Sequence, residues 1–165
     1  MKKLKDSEDS LARMLPPTRR LRQTLGPILY QLPPNFGLDC DRLADFLALL
    51  PKKHSHVFEF RDKSWYTDDV LALLDRHGAS FCVHDMPGSA SPRWATGRAA
   101  YVRFHGGEGK YHGRYSDEGL RDWSDWLVGQ AKAGRSVWAY FNNDIDAHAI
   151  HDARTLKAMV RQAGG

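Results

Sequence analysis

Five short runs rich in β-branched and aromatic residues recur along this chain, and segments of helical length lie between most of them. No other feature restricts the fold as strongly. The runs fall near residues 27–32, 56–60, 80–83, 99–104 and 136–141. Asp39 is placed to cap a helix over 40–50 whose Leu43, Phe46, Leu47 and Leu50 share one face, and Pro51 stops it. Thr67 caps a second, with Val70, Leu71, Leu73 and Leu74, that ends at Gly78. Ser116 caps a third, with Asp117 and Glu118 in its first turn and Leu120, Trp123 and Leu127 as its stripe. Ala149, Ala153, Leu156 and Val160 mark the last helix. A basic helix over about 6–24, interrupted at Pro16-Pro17, precedes the first strand. Such alternation predicts an α/β fold with right-handed βαβ units and a parallel sheet of five strands. The runs are apolar almost throughout, as strands covered on both faces are. Residues 85–98 and 106–115 read as loops, and the whole chain as one domain with no linker.

Composition narrows the function classes. With 42% hydrophobic and 27% charged residues, the chain can build a core, which excludes a disordered segment. It has no run of about 18 apolar residues and no signal-peptide pattern at Met1–Asp6, so the expectation is a cytoplasmic protein without a membrane partner. Cys40 and Cys82 lack any CxxC or His spacing, and Cys82 reads as a small core residue. The formal charge is 24 − 20 = +4, and the excess is local: residues 1–25 carry seven Lys or Arg against three acids. A basic balance permits a phosphate or nucleic-acid partner, but a short basic helix is weak evidence for one and is better read as a simple solvated face.

Polar residues gather at the carboxyl ends of the runs. The first ends at Gln31, the second at Glu59 and Arg61, the third at His84 and Asp85, the fourth at Arg103 and His105, and the fifth at Asn142, Asn143 and Asp144. Parallel α/β folds bind ligands beyond this end of the sheet.

Four motifs, in order, carry a resemblance: Gly26–Pro34 (GPILYQLPP), Glu59–Trp65 (EFRDKSW), Tyr101–Gly106 (YVRFHG) and Tyr140–Asp144 (YFNND). They are similar to those of the YecE-like family, a bacterial domain of unknown function (number 72). The resemblance implies a TIM-like (β/α) barrel with no assigned reaction. It also implies that this chain is the C-terminal two-thirds of the domain, because family members carry three earlier βα units, with an acidic strand end and a Lys-bearing strand that have no counterpart here. The expectation is then a partial barrel, its five strands being the fourth to eighth. Such a partial barrel exposes its first and last strands as edges. An oligomer, or a complementing N-terminal fragment, would cover them.

Several constellations carry chemistry. Glu59 and Arg61 share one strand face, as do Tyr101, Arg103 and His105. Arg61, Arg103, Lys110, Arg114, Gln31, Asn142 and Asn143 are candidates to hold a phosphate or carboxylate. Glu59 or Asp85 is a candidate general base, and His105 an acid–base group, for a hydrolytic reaction. A structural ion-pair network plugging the sheet accounts for the same charges. The Gly106–Arg114 loop has four glycines and two cations, suiting backbone approach to an anion or a solvent loop. His84, Asp85, Glu59, His105 and Asn142 have ligand types that suit a divalent metal, without a linear metal-binding spacing. Trp65, Trp94 and Tyr111 lie in predicted loops on the ligand side, where they suit base or sugar stacking in a nucleic-acid or phosphometabolite binding module. An inactive fragment is the remaining alternative.

Overall fold

A computed structural model of the chain describes residues 4–164, and Arg19 by its backbone only. Lys2 and Lys3 of the basic segment lie outside the described residues. The five strands are β1 (Ile28–Leu32), β2 (His56–Phe60), β3 (Ser80–Asp85), β4 (Ala99–Phe104) and β5 (Ser136–Phe141). They pair in chain order, every pair parallel. No pairing joins β1 to β5, so the sheet is open, with β1 and β5 at its edges, and is not a closed barrel.

The helices are α1 (Glu8–Thr18), α2 (Cys40–Ala48), α3 (Asp68–Arg76), α4 (Asp117–Lys132) and α5 (His148–Gly164). Their starts are set by side-chain caps. Asp39 accepts from the Arg42 amide at 3.0 Å, Thr67 from Val70 at 3.3 Å and Ser116 from Gly119 at 3.1 Å. Each cap satisfies an amide that has no partner inside its helix. The prolines do not interrupt α1, which runs through Pro16 and Pro17 to Thr18. They fall in its last turn, and each gives up the hydrogen bond its missing N–H would make to the carbonyl four residues back. The break comes afterwards, in a 3-10 segment (Arg19–Thr24) where Arg22 takes a φ of 47°.

Alternate strand residues go to two unlike faces. Tyr30, Leu32, Phe58, Phe60, Phe81, Val83, Val102 and Phe104 point into one large core. The same core receives Leu43, Phe46 and Leu47 of α2, Val70 and Leu74 of α3, Leu120, Trp123 and Leu127 of α4, and Leu156 of α5. All four helices therefore cover one face, and cover on both faces is not what the strands have. The other face has a small apolar floor of Val57, Cys82 and Tyr101, with Leu29 and Trp138 beside it. Above that floor, toward the carboxyl ends, the side chains become polar.

The sheet is strongly curled about this second face. Trp138, on the last strand, lies against Gly26, just before the first: a Cβ on Gly26 would sit 3.3 Å from the indole ring. Higher up, Arg103 of β4 reaches Gln31 of β1 at 2.9 Å. Neighbouring strands are about 4.8 Å apart, so neither contact could form across a flat sheet. The concave face is a trough, and among the described residues no helix is long and apolar enough to cross a membrane.

Candidate functional site

Glu59 anchors the polar end of the trough. It is fully buried, and its two oxygens are taken by two guanidinium groups. Arg61 Nε pairs with Oε1, and Arg103 Nη1 donates to Oε2 at 2.6 Å. The period of two puts Glu59 and Arg61 on one face of β2, while Arg103 arrives from β4, beyond the intervening β3. One carboxylate between two guanidinium groups leaves a surplus of one positive charge. Burial works against the charged form of Arg103, but the Glu59 hydrogen bond and charge outweigh it and hold its pKa above the ordinary value.

His105 completes the rim. Its Nε2 faces Arg61 Nη2 at 3.0 Å and Asn142 Nδ2 at 3.4 Å, both donors, and its Nδ1 lies 3.2 Å from the Arg103 carbonyl. These partners assign the neutral tautomer with the proton on Nδ1. Burial lowers the His105 pKa, and the positive charges of Arg61 and Arg103 lower it further. The ring of Tyr111, half-exposed in the glycine loop, lies 5.6 Å from the His105 ring.

A local splay makes room for this layer. The β2–β3 ladder consists of Val57↔Ser80 and Phe58↔Phe81. Past it, the His84 amide turns to Ser91 Oγ at 3.0 Å. Arg61 enters the gap and donates from Nη1 to the Met86 sulfur at 3.6 Å. His84 sits in the same layer, paired in register with Arg103 across β3 and β4. It is 1% exposed, and neither ring nitrogen has a partner of good hydrogen-bond geometry. Burial and the Arg61 charge push its pKa down to about 4, against weaker opposing contributions from Glu59 and the Ser89 backbone.

The structure thus brings Gln31, Glu59, Arg61, Arg103, His105 and Asn142 to one rim. It does not bring the other sequence candidates there. Asp85 lies on the helix-covered side, where its Oδ2 accepts from Trp123 Nε1 at 3.2 Å, and burial raises its pKa. Asn143 is one residue past Asn142 and so takes the opposite direction; it donates to Gly113 O at 2.9 Å and Asp152 Oδ2 at 2.8 Å. Arg114 pairs with the buried Asp152 at 3.1 Å, and the Tyr115 amide donates to the same carboxylate at 3.1 Å. These bonds tie the end of the glycine loop to α5. Lys110 is exposed at the loop tip, 5.4 Å from the Tyr111 ring.

Trp65 is buried in the core, stacked on Phe60 at 4.9 Å, with its Nε1 donating to the Phe36 carbonyl at 2.6 Å. A 3-10 turn (Lys63–Trp65), started by Asp62, folds it under the sheet. Trp94 packs on Phe81 at 5.7 Å. Neither is a platform for a base. The residues whose types suit a divalent metal do not assemble into a site either. Asp85 faces away, Glu59 is occupied by guanidinium groups, and among the described residues no three His, Cys, Asp or Glu side chains are arranged to hold a metal ion.

Sequence reasoning weighed His84 only as a metal ligand and missed its place between two arginines. The signal was available, because His84 ends a strand on the same side as Arg61 and Arg103.

Comparison with solved structures places the chain among proteins of one kind. A DUF72 family protein from Thermotoga maritima has 26% identity and a TM-score of 0.80, with 96% of this chain and 66% of that chain covered. A DUF72 family protein from Enterococcus faecalis, at 18% identity and a TM-score of 0.83, is alike in fold, with 95% of this chain and 67% of that chain covered. The chain spans about two-thirds of the length of these solved relatives. No curated protein matches the sequence. The family model described as "Protein of unknown function DUF72" matches residues 1–165, the whole chain, so the expectation that only the C-terminal two-thirds of the domain is represented is not borne out. The chain belongs to the DUF72 family.

Proposed function

We propose that the rim binds a small anion, a carboxylate or a phosphate. The observation that carries this reading is the convergence of Arg61 and Arg103 on the single buried carboxylate of Glu59, which leaves one positive charge in excess at the mouth of the trough. Arg103 uses Nη1 for both Gln31 and Glu59, so its Nη2 edge is available to a ligand. On the same rim the Gln31 amide accepts from Arg103 Nη1 and the Asn142 amide faces His105. Where the bound anion is an ester, His105 is the acid–base group of the rim: once a water takes the place of Arg61 Nη2 at Nε2, that nitrogen accepts the proton of the attacking water and returns it to the leaving oxygen. Glu59, with both oxygens engaged, orients the arginines. Titration of inorganic phosphate and of acetate by calorimetry tests the reading. Arg103→Gln is expected to weaken whichever anion binds by at least about tenfold, since a charged hydrogen bond contributes about 1.5–3 kcal/mol. No heat from either anion on the wild-type protein would overturn it.

We also infer that the curled sheet is an arc of a TIM-like (β/α) barrel. The reach of Trp138 to Gly26 and the placement of four helices on one face support this. Strands β1 and β5 are then edges that a second copy of the chain or a complementing segment covers. Light scattering separates the two: a concentration-dependent dimer favours a second copy, and a monodisperse monomer excludes it.

A further inference from the structure

The opposite end of the sheet holds a second concentration of positive charge. A cavity of about 640 Å³ lies at the amino ends of the strands, bounded by the ends of α2 and α3 and by the residue before β4. Three separate connections send cations to it: Lys52 from the α2–β2 link, Arg76 from the end of α3, and Arg98 from the start of β4. Among the described residues, none of these three has a carboxylate within ion-pair distance, in contrast to Arg61 and Arg103 at the rim. The one acid in the lining, Asp75, is engaged: its Oδ1 accepts the Gly97 amide at 3.0 Å.

The histidine of the floor is fixed in place. His56 is buried, with Nδ1 3.1 Å from the Tyr30 hydroxyl and Nε2 3.0 Å from the Pro51 carbonyl, and burial lowers its pKa. It shapes the cavity without adding charge. Beside it, Gly78 turns the chain at φ +66° with no atom within 4 Å of where a Cβ would stand, so the backbone there borders open space.

The helix ends work against an anion here, and their size decides the sign. Each helix C-terminus carries the equivalent of about half a negative charge. Two such ends offset about one of the three cations, and Asp75 offsets another. The end of α3 is further muted because its carbonyls accept from His77, Gly78 and Ala79. A positive balance remains.

We propose that this cavity is a second anion site, distinct from the rim and shaped for a multiply charged phosphate such as a condensed phosphate. The cations come from three separate connections that border the cavity, so an anion with two or more phosphate groups can engage several at once and gains more from them than a monovalent anion does.

Pyrophosphate is the probe. It is titrated calorimetrically into Arg103→Gln protein, in which the rim has lost the more accessible of its two guanidinium groups. The expected result is one binding event that Arg76→Gln with Arg98→Gln weakens at least tenfold, and that raised salt weakens further. Lys52→Glu, a surface reversal on a loop, is expected to act in the same direction, and thermal melts show whether each variant is folded. The proposal is overturned if pyrophosphate does not bind, or if folded Arg76→Gln/Arg98→Gln protein binds it as well as its parent. It is overturned equally if a single-stranded oligonucleotide binds this face and pyrophosphate does not compete. A rim that fails to bind phosphate leaves this result untouched, because every comparison is made with that arginine already removed.

Discussion

Phe58 and Glu59 are adjacent in β2, both fully buried, and chemically opposite. Phe58 stacks between Tyr30 at 5.1 Å and Phe60 at 6.3 Å, with Phe46 of α2 edge-on at 5.9 Å. Glu59 meets two arginines and the Cys82 thiol. The difference between the two faces of one strand separates the work of folding from the work of the site. The helix-covered face gains its stability from area removed from water, and the polar groups it buries, such as Asp85 and Asp152, are hydrogen-bonded. The trough holds charges that are costly to bury and are offset by their pairing. Cys82 records the cost: burial first, then the Glu59 charge, raises its thiol pKa well above the ordinary value.

The largest expected effect breaks the covered face. Phe58→Ala removes a ring with aromatic neighbours on three sides and is expected to cost about 3–5 kcal/mol, measured by urea unfolding. Glu59→Gln comes next. It leaves two guanidinium groups facing a neutral amide, at a cost of about 3 kcal/mol, the low end for a broken buried pair because Arg103 is partly solvated. Replacing Arg61 by Met in the same protein is expected to recover part of that loss. If Glu59→Gln alone is neutral, the pairing does not hold the trough together.

How much of this contrast could be read from the sequence depends on the face. The strands and caps were legible because periodicity and capping chemistry are local: Asp39, Thr67 and Ser116 start helices as expected. The rim was legible through the period of two, which put Glu59 with Arg61 and Arg103 with His105. The same period, carried through to the strand ends, excludes two of the candidates. Asn143 and Asp85 follow Asn142 and His84 by one residue, and that single step sends them to the other side. Trp65 was beyond reach because a three-residue turn decides whether it meets solvent or core. The curl of the sheet was hidden as well, since the contact of Trp138 with Gly26 joins residues more than a hundred positions apart.

Acid sharpens the comparison without a mutation in the trough. His84 is neutral when folded, with a pKa of about 4, below its ordinary value near 6.5. Between those values the unfolded chain binds the extra proton, so the contribution to stability is fully present above pH 6.5 and is lost as pH falls toward 4. Its size is on the order of 2–3 kcal/mol. His105, also lowered, adds to the loss. Asp85 acts in the opposite sense, because burial raises its pKa and favours the folded state at low pH. Unfolding midpoints between pH 7 and pH 4 are expected to fall steeply in the wild type and more gently in His84→Asn. Equal slopes would mean that His84 takes up no proton on unfolding in this range.

The smallest expected effect lies at the open edge. Tyr140 stacks on Tyr101 at 5.0 Å but is 41% exposed, and β5 is the one strand with no fully buried residue. Removing a half-solvated ring forfeits little area and a ring contact of about 0.5–1.5 kcal/mol. Tyr140→Ser is therefore expected to cost about 1 kcal/mol or less at low protein concentration. The same variant tests what covers the edge. If a second copy packs against β5, the cost rises with protein concentration, because the ring is then buried in the assembly and its loss weakens association as well as folding. If the cost stays flat across a hundredfold dilution, β5 meets water in the protein as it stands, and the contrast between its side paired to β4 and its bare outer side is a property of the single chain.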